Sequence, residues 1–227
     1  MRRPGFLSSY TGIIIAINVV FFIGVYLLTR VLGDIEVFSW IALQPSMVLA
    51  GENLWTFLTS MFMHAGFGHL LVNMISLMFI GSFVEKLIGK KRFLSLYFIG
   101  GLFAGVLFVG VAIFSKPDIA CHLIGLENLP SYCMFAVGAS GAIFALGGLL
   151  AVLTPKLPVL VMFIIPMPMW LAMIFLMFGI WALSLRLGLP IGNIAHLGGL
   201  IVGLGYGFYL RKKFPRKTQM ISQYFAR

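Results

Sequence analysis

The amino-acid sequence predicts an all-α polytopic membrane protein, a six transmembrane helix bundle with a long first loop embedded in the membrane. Three observations predict it. Of the 227 residues, 61% are hydrophobic and only 10% are charged. Soluble domains carry about 45–50% and about 25%, so one small core cannot hide this much apolar surface. Six apolar stretches approach the roughly 20 residues that a helix needs to cross about 30 Å of hydrocarbon. The basic residues gather at the ends of those stretches, where lipid headgroups lie. That placement assigns the net charge of +10 to a membrane surface, not to nucleic acid.

The elements follow in order. Residues 1–10 form a short N-terminus with Arg2 and Arg3. No small-residue cleavage site closes the apolar run behind them, so the run is expected to stay as the first helix. The expected spans are 11–32, 69–88, 93–114, 135–153, 159–181 and 190–210. They define one domain over 11–210, followed by a basic, mobile tail over 211–227. Pro158, Pro166 and Pro168 predict a kinked start to the fifth span. The stretch from Gly33 to Gly68 is too long for a structureless loop. Its Trp40-Ile41-Ala42-Leu43 and Leu54-Trp55-Thr56-Phe57-Leu58 segments predict short helices half sunk in the membrane interface. Cys121 and Cys133 share one inter-helix stretch without zinc-type neighbours. A disulfide and a pair of unpaired thiols both remain open.

Thirteen of the 16 basic residues fall on the side that holds both termini. Only Arg30, Lys116 and Arg186 fall on the other side, which predicts cytoplasmic termini in a cell membrane.

Polar side chains inside lipid are costly and mark function. His69, Asn73, Ser140 and His196 are such residues. Each lies near the start of a span that enters from the same outer side, within roughly 10 Å of helix rise. His69 and Asn73 are four apart and share a helical face. His196, Gly199 and Gly203 form one stripe whose glycines permit close helix approach. Gly138 and Gly141 do the same around Ser140. Such an approach would bring the Ser140 hydroxyl to the His196 imidazole. A serine needs a base to become a nucleophile, and histidine titrates near neutrality. The oxyanion that forms needs donors, which His69, Asn73 and the Ser140 N–H can supply. No acid lies at this depth, so the arrangement would be a dyad.

Each residue alone also has a bland reading. Ser140 could be a small packing residue, His196 a hydrogen-bonded core histidine, and Asn73 a polar link between helices. The shared depth on three separate spans favours chemistry. His64 is read as a structural residue of the first loop, and His122 as an ordinary loop residue. A zinc site from His64, His69 and His196 is disfavoured, because His64 and His69 are five apart and no carboxylate joins them.

These residues carry a family resemblance. Gly138-Ala139-Ser140-Gly141 resembles the GxSG nucleophile motif of rhomboid intramembrane proteases. The segment from His64 to Asn73 resembles the family's helix 2 signature, with HxxxN at His69 and Asn73. Ala195-His196-Leu197-Gly198-Gly199 with Gly203 resembles its AHxxGxxxG motif. The resemblance implies a serine endopeptidase that cuts in or near membrane spans, with Ser140 as nucleophile and His196 as base and acid. His69 and Asn73 would bind the oxyanion. It implies single-span membrane proteins and the lipid bilayer as partners, and no metal or organic cofactor. Trp55 resembles the tryptophan of a first-loop WR element, with Thr56 at the arginine position. Phe144 stands where an aromatic stacks on the catalytic histidine. The fifth helix, with Met167, Met169, Met173 and Met177, is lipid-facing surface by default and a mobile substrate gate by resemblance. Two other functions compete: an inactive rhomboid-like binder of transmembrane segments, which would lose the serine or histidine, and a small transporter, which would place charges at mid-membrane.

Overall fold

The computed structural model describes residues 8–114, 135–161, 164–187 and 192–225. Cys121, Cys133 and His122 lie outside the described residues. Helix α1 spans Tyr10–Leu32. Short helices α2 (Asp34–Ile41), α3 (Pro45–Leu49) and α4 (Thr56–Thr59) make up the first loop. Helix α5 spans Phe67–Ile88 and α6 spans Lys90–Ala112. Helix α7 spans Ser140–Leu153. Strands β1 (Pro158–Val161) and β2 (Ile165–Pro168) follow as an antiparallel hairpin. Helix α8 begins at Met169–Ile174 and runs without a break through a π turn, Phe175–Gly179, into Ile180–Leu187. Helix α9 spans Asn193–Lys213 and α10 spans Pro215–Tyr224.

Four of these helices, α1, α5, α6 and α9, are long and apolar enough to cross a membrane. Helix α7 and the Met169–Gly179 part of α8 are shorter and apolar. The four lie on the first, second, third and sixth expected spans, α7 lies within the fourth, and α8 overlaps the fifth only from Met169 onward, in a multi-pass, mostly helical bundle. The outward faces carry large exposed apolar side chains such as Val20, Val31, Phe79 and Phe178, as lipid contact requires. The inward faces bury Phe93, Tyr97, Leu146, Leu149 and Leu150 in one continuous cluster.

Two expectations are corrected. The fifth span does not begin as a kinked helix at 159, because Pro158–Val161 and Ile165–Pro168 pair as antiparallel strands. Pro158 pairs with Pro168 and Leu160 with Pro166 in its register. Proline lacks the N–H that a helix would use, and the residue before it avoids helical dihedrals, so Pro166 and Pro168 keep this stretch extended. Helix α8 then starts directly behind Pro168. Its first N–H groups donate to carbonyls just beyond the end of α7, Met169 to Leu157 and Trp170 to Pro155. The tail over 211–227, expected to be mobile, instead carries the end of α9 and helix α10. Pro215 stands at its first position, and Thr218 is buried against the bundle. Phe225 meets the Phe83 ring of α5 edge-on, with centroids 5.5 Å apart.

Two features position the site. At 14 residues, α7 rises only about 21 Å. A helix of that length is shorter than a bilayer core of about 30 Å. The first loop also grips the chain just ahead of Ser140. Leu43 and Ala136 exchange both backbone hydrogen bonds, and the Gly138 N–H donates to the Ser60 carbonyl at 2.8 Å.

Candidate active site

Helices α7 and α9 pack in parallel. Gly199 rests on the Gly141 carbonyl and Gly203 on the Ala145 carbonyl, with no room for a Cβ at either. This backbone-to-backbone approach uses small residues where lipid offers no hydrophobic drive for association. It sets Ser140, the first residue of α7, beside His196 in the first turn of α9. Nε2 of His196 lies 2.8 Å from Oγ of Ser140, a hydrogen bond between residues 56 apart in the chain. The Phe144 ring, one turn beyond Ser140, stacks on the imidazole at 4.4 Å with 12° between planes.

The second pair arrives from α5. Gly138 has φ +115°, a conformation that glycine adopts freely. A Cβ there would lie 2.9 Å from Nε2 of His69 and 3.8 Å from Nδ2 of Asn73. The loop before Ser140 is therefore bare on the side that faces both polar groups. The Ala65 N–H donates to Nδ1 of His69 at 3.4 Å, which leaves Nε2 to carry the proton of the neutral ring. Asn73 spends one Nδ2 hydrogen on the His69 carbonyl at 2.9 Å and keeps a second. The Ser140, Gly141 and Ala142 N–H groups belong to the first turn of a helix, where no intrahelical acceptor exists. The partial positive charge of the helix start adds to them. Donors from α5 and from the start of α7 thus border the Ser140 loop.

All four sequence-predicted site residues are thereby brought into one region. Ser140 and His196 are in direct contact, and His69 and Asn73 lie across Gly138 from them. His64 is buried next to them, its ring 5.1 Å from that of His69. Its Nδ1 donates to the Phe62 carbonyl at 3.1 Å. This fixes the loop ahead of α5, the structural role expected of it. Among the described residues no group of three or more His, Cys, Asp or Glu side chains could hold a metal ion.

Known proteins resemble the chain over most of its length. Residues 51–213 match the family model of the Rhomboid domain. The chain belongs to the rhomboid family. It is 35% identical over 177 residues to RHOMBOID-like protein 1 of Arabidopsis thaliana, covering 76% of this chain and 39% of that protein. It is 26% identical over 213 residues to the rhomboid protease GlpG of Yersinia pestis, covering 94% of this chain and 68% of that protein. The chain thus spans well under half the length of the plant relative.

The rhomboid fold also uses residues of the first loop and of the start of α9. Thr56, at the arginine position, is buried and donates through Oγ1 to the Asn53 carbonyl at 2.6 Å. Trp55 donates from Nε1 to the Trp40 carbonyl, so the first loop is closed by its own tryptophans. Asn193, three residues ahead of His196, donates from Nδ2 to Oγ of Ser184 at 2.7 Å and ties α8 to the start of α9. The signal for it was a lone polar residue in an apolar run. Ser60, whose carbonyl holds Gly138, has no side-chain signature that could have singled it out.

Proposed function

We propose that this rhomboid protein is an active intramembrane serine endopeptidase. The observation that carries the reading is the 2.8 Å contact between Oγ of Ser140 and Nε2 of His196, held by glycine-on-carbonyl packing of two helices. An inactive binder would have no need of a paired nucleophile and base. The GlpG relatives are named as proteases, which favours the same reading.

In this mechanism His196 accepts the Ser140 proton at Nε2 as Oγ attacks the substrate carbonyl. The negative oxygen takes hydrogen bonds from the Ser140 N–H, Nε2–H of His69 and Nδ2–H of Asn73. The C–N bond then breaks, and the proton on His196 goes to the leaving amine. An acyl-enzyme remains on Ser140. His196 next removes a proton from water, which attacks the ester and frees Oγ, and the proton returns to Ser140. Among the described residues no carboxylate bonds to His196, and the Phe144 ring lies against the imidazole plane. No cofactor enters the scheme.

The substrates in this reading are single-span membrane proteins. A helical substrate has its carbonyls hydrogen-bonded already, so the cut requires a locally unwound stretch. Both termini face the cytoplasm and the site opens to the outer side, in keeping with the charge distribution. The test uses purified protein in lipid vesicles with a single-span substrate, comparing wild type with Ser140→Ala and His196→Ala. Cleavage lost in both variants at equal folding supports the dyad. Cleavage that survives Ser140→Ala rejects it. If nothing cleaves, labelling of Ser140 by a fluorophosphonate separates an active enzyme with the wrong substrate from an inactive binder.

A further inference from the structure

Away from the Ser140 region, α7, α8 and α9 enclose an apolar groove of about 310 Å³. It runs down α9 from Leu200, one turn past His196, to Arg211 in the last turn. From Leu200 to Arg211 the helix rises about 16 Å, close to the length of the outer part of an acyl chain. The walls come from Met173 and Met177 of α8 and from Leu204 of α9, and among the described residues no carboxylate lines the groove. Methionine side chains repack readily around a flexible occupant. The polar end is different. Arg211 closes it, Trp170 stands beside it, and Pro155 precedes the exposed Lys156. Lys212 and Lys213 follow Arg211 on the same turn. Tryptophan and cations at one end of an apolar channel are the composition of a membrane–water interface. Trp170, Ile174 and Phe178 are 47%, 48% and 62% exposed, so the groove opens sideways to lipid.

We infer that this groove is a binding site for one anionic phospholipid, with an acyl chain between α8 and α9 and the phosphate at Arg211. A zwitterionic lipid offers the same chain, but its ammonium group offsets the attraction that Arg211 and Lys156 exert on the phosphate. A single cation near an anionic headgroup favours it by about fivefold. The bound chain fills the side of α8 that the packing against α7 leaves open. It therefore links α8 to α9 on the flank opposite their Asn193–Ser184 bond along the chain.

Quenching of tryptophan fluorescence by lipids brominated near the headgroup end of the acyl chain tests this directly. The full chain is placed in phosphatidylcholine bilayers that contain brominated phosphatidylglycerol or brominated phosphatidylcholine at equal mole fraction. The Trp170 signal is obtained by subtracting Trp170→Phe. Brominated phosphatidylglycerol should reach half-maximal quenching of Trp170 at about one fifth of the mole fraction that the zwitterionic lipid needs. Arg211→Gln should abolish that preference, and Lys217→Gln, which removes the same charge outside the groove, should retain it. Equal quenching by the two lipids overturns the site. So does a preference that survives Arg211→Gln, or one lost equally with Lys217→Gln, which would reflect surface charge alone. Arg211 is exposed, so its substitution does not disturb the core.

Discussion

The carboxylate of Glu85, near the end of α5, caps the start of α1 at Thr11. Oε2 accepts from the Thr11 N–H at 2.8 Å and from Oγ1 of Thr11 at 2.7 Å, while Oε1 accepts from the Tyr10 N–H at 3.0 Å. Glu85 is the one acid beside the basic run of Lys86, Lys90, Lys91 and Arg92. It serves as a helix N-cap supplied from a distant helix, and it ties α1 to the bundle through a charge-assisted network. Glu85→Ala should therefore destabilise the protein by about 2–3 kcal/mol, since it leaves three donors without an acceptor. Glu85→Gln, which keeps one acceptor oxygen, should cost less. Thermal unfolding in a neutral detergent distinguishes them, and equal stability of all three proteins would refute the cap.

Gly199→Ala should separate α7 from α9, because the new methyl group would overlap the Gly141 carbonyl. A loss of about 1–3 kcal/mol is expected from overpacking. Proteolysis should fall about a hundredfold, because the Ser140–His196 contact is lost with the shift. Gly205→Ala on the same helix is the control, as nothing lies within 4 Å of its Cβ position. Stability and cleavage rates measured on both variants decide the matter; equal rates would sink the packing argument.

Phe144→Ala removes the ring that lies parallel to His196. An aromatic contact of this kind is worth about 0.5–1.5 kcal/mol. The expected result is a fall in kcat of about threefold to tenfold with KM little changed, restored by Phe144→Tyr. A change confined to KM would instead assign Phe144 to substrate binding.

His64 predicts an acid limb in the stability profile. Burial first, and the neighbouring His69 second, push its pKa down from 6.5 to about 4. Between those values the unfolded chain binds a proton that the folded chain does not, so stability falls as pH drops from 6.5 toward 4. Below pH 4 the full effect, about 3 kcal/mol, is reached. His64→Asn retains a donor for the Phe62 carbonyl without titrating, and should flatten this limb. Unfolding midpoints between pH 4 and pH 7 test it, and a variant with the wild-type slope would exclude His64 as the source.

Several features could be read before any coordinates. The six apolar runs follow from lipid as solvent, and α1, α5, α6 and α9 begin or end within three residues of expectation because length and hydropathy alone define them. His69, Asn73, Ser140 and His196 stood out because each costs free energy in a membrane unless it is used. Short-range chemistry misled at the fifth span. There, apolar composition suits helix and strand alike, and only the pairing of Pro158 with Pro168 reveals the hairpin. The tail misled in the same way, since its basic composition says nothing of the Phe83–Phe225 contact that anchors α10. What only the tertiary structure decided is distance. The 2.8 Å between Ser140 and His196 and the bare loop at Gly138 arise from helices distant in sequence that meet by close packing. So do the cap from Glu85 and the groove beneath Arg211. A one-dimensional pattern encodes which residues are expensive to bury. Where they meet is set by packing between elements, which no local window contains.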